Sequence, residues 1–191
     1  NWNTEIGILN FLPGGAHNVA NDKTKHLVRK WVPRVLRATA PRNSTNMDWI
    51  VFRVAELYLN YAEALNEYYE TPPKEAFDAV LKVRERSGMP GFPSTLNKKQ
   101  FREKLRRERA VELAYEDHRF WDIRRWLIAD DEGVMKGAMY GLQLSAVTGA
   151  PGKVHYKPYV FENRLWSDRS YLHPIKQTEI DKGYMLQNPG W

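Results

Sequence analysis

Residues 106–126, RRERAVELAYEDHRFWDIRRW, hold the densest set of groups in the chain that could do chemistry. Glu108, Glu112 and Glu116 recur every four positions, which places their carboxylates on one helix face. General acid–base catalysis needs two carboxylates at a defined separation in a cleft. Here Arg106, Arg107, Arg109, Arg119, Arg124 and Arg125 surround them, and a guanidinium fork matches a carboxylate in two-point contact. The pattern reads better as an Arg–Glu lattice that fixes two helices against each other. In that reading Glu108, Glu112, Arg119, Phe120, Trp121, Asp122, Arg124, Arg125 and Trp126 are structural, with the three aromatic rings buried, and no residue is assigned a catalytic role.

Other chemistries find less support. His17, His26, His118, His155 and His173 never fall at His-x3-His or HExxH spacing, and no DxDxDG loop with a closing Glu occurs, so no metal site is assigned. The absence of cysteine excludes disulfides, thiolate ligands and cysteine nucleophiles within these residues. GxSxG, GxGxxG and GxxxxGK[ST] are missing, and no cofactor is implied. The formal charge of +6 and pI near 9.4 allow attraction to polyanions, but acidic and basic residues are interleaved. Phe120, Trp121, Ile123, Trp126 and Leu127 sit at spacings that suit burial rather than a nucleic-acid stacking surface, so no nucleic-acid partner is assigned.

What remains is an aromatic excess of seven Trp, ten Tyr and seven Phe. Flat rings suit the apolar faces of sugars, and neighbouring polar groups can bind the hydroxyls. Trp2, Asn46, Trp49 and Tyr140 lie in irregular or boundary segments and are the candidate ligand contacts. Trp121, Trp126 and Trp191 are expected to be structural.

The elements that must position these groups are mostly helical. Residues 1–49 read as loops, with one extended stretch at LVRKWVPRVL. Residues 50–130 read as four helices. The first carries Val54, Leu57, Tyr58, Tyr61, Ala62 and Leu65 on its apolar face and stops at Thr71-Pro72-Pro73. The second, with Phe77, Val80, Leu81 and Arg84 on successive turns, ends at Gly88. Small residues Ala62, Ala64 and Ala76 would let these two approach closely. A third helix starts near Asn97, and HRFWDIRRWLIAD forms a fourth. Residues 131–191 read as loops through GVMKGAMYGLQLSAVTGAPGK, a strand at VHYKPYVFENRLW and a short helix at KQTEIDKG. No apolar run is long enough to span a membrane, and the opening lacks the pattern of a signal peptide. A lone helical hairpin cannot bury both its faces, so its stacking partners are expected in further sequence of a longer polypeptide.

Five motifs in order, FRVAELYLNYAEALNE, AVLKVRERSGMP, RRERAVELAYEDHRFWDIRRW, VFENRLW and YLHPIKQTEIDKG with QNPGW, resemble the C-terminal part of the SusD/RagB family of nutrient-binding outer-membrane lipoproteins. The resemblance covers about residues 50–191 and reaches back through VRKWVP. Asp117 stands where the family commonly has Gly, and HPIKQTEI departs from the usual form, which has Pro at Lys176 and Ser at Thr178.

The resemblance implies a mostly α fold, with tetratricopeptide-like hairpins as scaffold, extended irregular loops and a minor β element. It further implies a surface-exposed outer-membrane lipoprotein, tethered through an N-terminal lipidated cysteine that this chain lacks, with a glycan ligand and a SusC-like TonB-dependent transporter as partners. The family motifs do not mark ligand residues. Two rival readings stand beside it: a peptide-binding helical scaffold without a small ligand, and a glycan-processing enzyme using Glu108, Glu112, Glu116 and Asp122.

Overall fold

The computed structural model of the chain describes residues 22–25, 28, 30–31, 49–149 and 153–191. The expected strand at LVRKWVPRVL falls mostly outside them; Val28, Lys30 and Trp31 are described, the last two in a turn. The described elements are α1 (Val54–Tyr68), α2 (Lys74–Glu85), α3 (Lys98–Glu112), α4 (His118–Arg125), β1 (Gly137–Ala146), β2 (Val154–Arg164), a 3-10 turn (Asp168–Tyr171) and α5 (Gln177–Ile180). They are mostly helical with one antiparallel pair of strands. The chain divides into two compact units, Asp48–Asp122 and a second made of Asn1–Met47 with Ile123–Trp191.

In the helical unit, Leu59, Ala62, Ala76, Ala79, Val80, Val83, Phe101, Leu105 and Leu113 form the core. Fully buried Ala62 and Ala76 allow the close approach expected of them, whereas Ala64 faces outward. Phe101 is the hub, with Phe77 and Phe92 meeting it edge-on at 4.9 and 5.7 Å. The element ends follow local chemistry. Asn97 caps α3 through a reciprocal pair of bonds: its side chain accepts from the Gln100 N–H, and its own N–H donates to the Gln100 side chain. Gly88, at φ 69°, closes α2, with Gly88 N–H donating to the Glu85 carbonyl and Met89 N–H to that of Arg84.

Along α3 the buried stripe changes character, from Phe101 and Leu105 to Glu108 and Arg109. Glu108 accepts from Arg84, which also donates to the Pro90 carbonyl at 2.6 Å and stacks over Phe92. Arg53 donates at 2.6 Å to Glu112 Oε1, at 2.6 Å to the Glu112 carbonyl and at 2.7 Å to Glu116 Oε2, and so caps the end of α3. Burial works against the Arg53 charge, but the two carboxylates outweigh it and raise its pKa. Arg109 donates at 2.7 Å to Asp122 Oδ2 and at 2.6 Å to Asn60 Oδ1, binding α3 to α4 and α1. An arginine–carboxylate lattice is present, but its arginines differ from those expected: Arg109 is one of the six, while Arg53 and Arg84 come from outside residues 106–126.

Four expectations are corrected. Val54, Leu57, Tyr58 and Tyr61 are exposed on α1, and the buried stripe keeps Ala62 but runs through Leu59 and Asn66; α1 is apolar on most sides, so periodicity could not choose the stripe. Phe120 and Trp121 are exposed, at 39% and 62%, and meet edge-on, because the inward positions of α4 belong to Asp122 and Ile123; Trp126 is half-buried beside the Arg125 guanidinium. The fourth helix stops at Arg125 rather than Asp130. Leu127 turns left-handed at φ 51°, its N–H donates to the Arg124 carbonyl and the Ile128 N–H to that of Ile123, which repeats the closure at Gly88. Last, GAMYGLQLSA is strand β1, not loop.

In the second unit the tail is held by side chains. Trp191 donates from Nε1 to the Arg169 and Leu172 carbonyls, under the Arg169 guanidinium. The Gln187 amide bonds Ile175 N–H and C=O at 2.8 and 2.9 Å, and Asn188 donates to the His173 carbonyl. These contacts give QNPGW its place and bear out a structural role for Trp191.

Asp122→Ala should destabilise the chain by about 3–5 kcal/mol in urea unfolding, because it leaves the Arg109 charge buried, and a paired Arg109→Met, Asp122→Leu variant should recover most of that loss. The left-handed Leu127 and Asp117 (φ 62°) are both exposed. Leu127→Gly and Asp117→Gly should therefore each stabilise, by up to about 1 kcal/mol, in the same assay. Arg102 holds the Glu67 carboxyl below its ordinary 4.5, so that pair contributes in full above that pH and is lost below it. Glu67→Gln should flatten the acid limb of stability by a small amount, since both side chains are partly solvated.

Candidate functional site

The carboxylates that could have served as acid and base are engaged. Glu108 meets Arg84, Glu112 meets Arg53 and Arg86, Glu116 meets Arg53, and Asp122 meets Arg109. Such charge-assisted contacts hold both partners in place. Arg119 is exposed, while Arg124 stacks over Trp166, whose ring meets Tyr171 edge-on. The Tyr171 hydroxyl donates to Asp130 Oδ1 at 2.5 Å and accepts from the Ala129 N–H, which holds the Asp130 carboxyl below its usual range. Burial, then this carboxylate, push the Tyr171 hydroxyl up. These groups shape the chain after α4. Among the described residues no group of three or more His, Asp or Glu is placed to hold a metal ion, and no helix is long and apolar enough to cross a membrane.

Of the four candidate contacts, Trp2 and Asn46 lie outside the described residues. Trp49 is 57% exposed just before α1, in the helical unit. Tyr140 is 64% exposed on β1, in the other unit. Each is accessible for stacking within its own unit.

The β1–β2 ribbon that carries Tyr140 has two unlike faces. Cross-strand partners share a face, so the register puts Tyr140 with Val160, Leu142 with Pro158, Leu144 with Tyr156 and Ala146 with Val154 on one side. That side is apolar, and Tyr156 is 68% exposed. The other side carries Gly141 with Tyr159, Gln143 with Lys157 and Ser145 with His155. Gly141 is required there: a Cβ would collide with the Lys23 carbonyl and lie 3.1 Å from the Tyr159 ring. A bulge between Met139 and Tyr140 leaves Phe161 without a cross-strand partner in the register. Tyr156 and Tyr159 were not singled out from sequence. The alternation of Tyr140, Leu142 and Leu144 with Gly141, Gln143 and Ser145 was the signal that could have found the ribbon.

Comparison with known proteins agrees with this architecture. The SusD family profile matches residues 5–191. The chain is 40% identical over 95 residues to a SusD-like protein (P25) of Formosa agariphila, covering 48% of this chain and 18% of that protein. It is 30% identical over 158 residues to a second SusD-like protein (P2) of the same organism, covering 78% and 26%. Among solved structures, a SusD homolog from Bacteroides thetaiotaomicron superposes with a TM-score of 0.54 at 30% identity, over 78% of this chain and 30% of that one. A SusD superfamily protein from Parabacteroides distasonis gives 0.53 at 24% identity, over 76% and 28%, a likeness of fold. The chain spans less than a third of the length of these relatives. With its whole ordered motif set inside that match, the chain belongs to the SusD family.

Proposed function

We propose that the chain is the C-terminal part of a non-catalytic surface protein that binds glycan or oligosaccharide nutrients and delivers them to a SusC-like TonB-dependent transporter in the outer membrane. The observation that carries this reading is the family match over residues 5–191, in a family of carbohydrate-binding nutrient-uptake proteins. Exposed aromatics on both units support it, since ring stacking with hydrogen bonding needs neither metal nor covalent chemistry. Trp2, Asn46, Trp49 and Tyr140 are the proposed ligand contacts. The tether would be a lipidated cysteine in sequence before residue 1 of a longer protein. The carboxylates of α3 and α4 already serve arginines, which weighs against the glycan-processing alternative.

A second reading has its own support. Val54, Leu57, Tyr58 and Tyr61 form an exposed apolar stripe along α1, the kind of surface on which a helical-repeat scaffold binds a peptide.

Tryptophan-fluorescence titration with a panel of plant, host and microbial oligosaccharides separates the two. We expect saturable quenching without turnover of the sugar, reduced by Trp49→Phe and with affinity weakened by Tyr140→Ala. Silence to every saccharide together with a response to an amphipathic helical peptide would decide for the scaffold reading.

A further inference from the structure

We propose that the polar face of the β1–β2 ribbon binds an anionic oligosaccharide, with Tyr159 stacking on one sugar ring and Lys157 and Gln143 holding the carboxylate or sulfate of the next. This rests on the glycan reading and adds to it a ligand class and a second contact surface, on the face opposite the one that carries Tyr140.

The placement of Tyr159 comes first. Its ring lies over Gly141, the one residue type that leaves room for it beside the Lys23 carbonyl. The ring is thus held against the ribbon while 36% of the residue stays open to solvent. An aromatic group fixed on one side and open on the other loses little freedom when a sugar settles on it.

The next two rungs of the same face pair Gln143 with Lys157 and Ser145 with His155, all exposed. Successive rungs are about 6.7 Å apart, so the three rungs offer a ring and then two rows of hydrogen-bonding groups along one line. These rungs include no Asp or Glu. Lys157 makes no ion pair among the described residues, so its ammonium is available to a ligand anion. The chain's charge of +6 favours the same class. The opposite face, with Tyr140, Leu142, Pro158, Leu144 and Tyr156, has no comparable row of polar partners.

The edge of β2 argues against a different occupant, an added β-strand. The Leu142 N–H leaves the ladder to donate to the Lys23 carbonyl at 2.8 Å, which makes Leu142 and Pro158 a pair without mutual hydrogen bonds. The position of the missing Pro158 N–H is therefore on the outer edge of β2, where an incoming strand would need a donor.

Calorimetric titration of the 191-residue chain tests the inference with two probes, hexagalacturonate for carboxylate and a κ-carrageenan hexasaccharide for sulfate, each beside its methyl-esterified or desulfated counterpart. We expect salt-sensitive binding of at least one anionic probe and weaker binding of its neutral counterpart. Lys157→Met should weaken it about three- to fivefold and blunt the salt dependence. Tyr159→Ala should weaken it about tenfold. Tyr159→Phe should retain it, as should Tyr156→Ser on the other face, with circular dichroism confirming that each variant folds. Equal affinity for charged and neutral probes, or indifference to Lys157→Met and Tyr159→Ala, overturns this inference and leaves glycan binding in place. Failure of every saccharide, charged or neutral, overturns the glycan reading and this inference with it.

Discussion

Arg109 is the side chain on which the helical unit depends. It is 4% exposed and serves Asp122 and Asn60 by direct hydrogen bonds, with Glu56 3.9 Å away. A guanidinium taken out of water at that depth costs several kcal/mol unless its donors are met, so the residues that meet them cannot vary independently. Asp122 on α4, Asn60 and Glu56 on α1 and Arg109 on α3 therefore behave as one constraint. The Arg53, Arg84 and Arg86 contacts to Glu108, Glu112 and Glu116 extend it along the same helix. The density of charge in RRERAVELAYEDHRFWDIRRW follows from this. A carboxylate whose oxygens are committed to an arginine has fewer of them left to meet a substrate.

Where the chain announces its breaks with local chemistry, the fold was legible. Pro72 and Pro73 end α1, Gly88 ends α2 and Asn97 begins α3, each for a reason that needs no knowledge of tertiary contacts. Legibility failed where context chooses among equals. On α1 nearly every turn offers an apolar residue, and only the position of α2 and α3 selects Leu59 and Ala62 over Leu57 and Tyr58. The end of α4 was hidden for another reason: Leu127 adopts a conformation that glycine announces and leucine does not. β1 was masked by its small residues, although Gly141 is there because Tyr159 and Lys23 crowd it. Of the candidate contacts, exposure of Trp49 and Tyr140 could be expected from their boundary segments. The pairing of Tyr159 with Gly141 could not, since it exists only in the cross-strand register.

The left-handed residues around α4 connect the departures of the sequence to its mechanics. Tyr115 and Asp117 precede the helix at φ 64° and 62°, and Leu127 follows it. Non-glycine residues in this region carry strain, and strain persists only where the surroundings over-determine the backbone. The surroundings here are the ion pairs on either side, with Arg53 on Glu116 and Arg109 on Asp122 fixing both what enters α4 and what lies along it. Asp117, left-handed without being glycine, is thus held by the lattice rather than selected by the turn.

The same division of labour supports the proposal that recognition falls to the surface aromatics. Inside the helical unit, the buried arginine and carboxylates of α3 and α4 are committed to ion pairs. The ribbon is different in kind. Its strands are short of inward partners, residues 155–160 of β2 are all exposed, and its two faces sort rings with aliphatic groups on one side and a ring with amide, hydroxyl, imidazole and ammonium on the other. A surface that orders a ring against backbone and leaves hydrogen-bonding groups in a row beside it has already met much of the entropic cost of binding. On the proposed reading the charged network supplies rigidity and the aromatic ribbon supplies contact, which is the arrangement expected when a scaffold is held constant while the ligand surface is free to change.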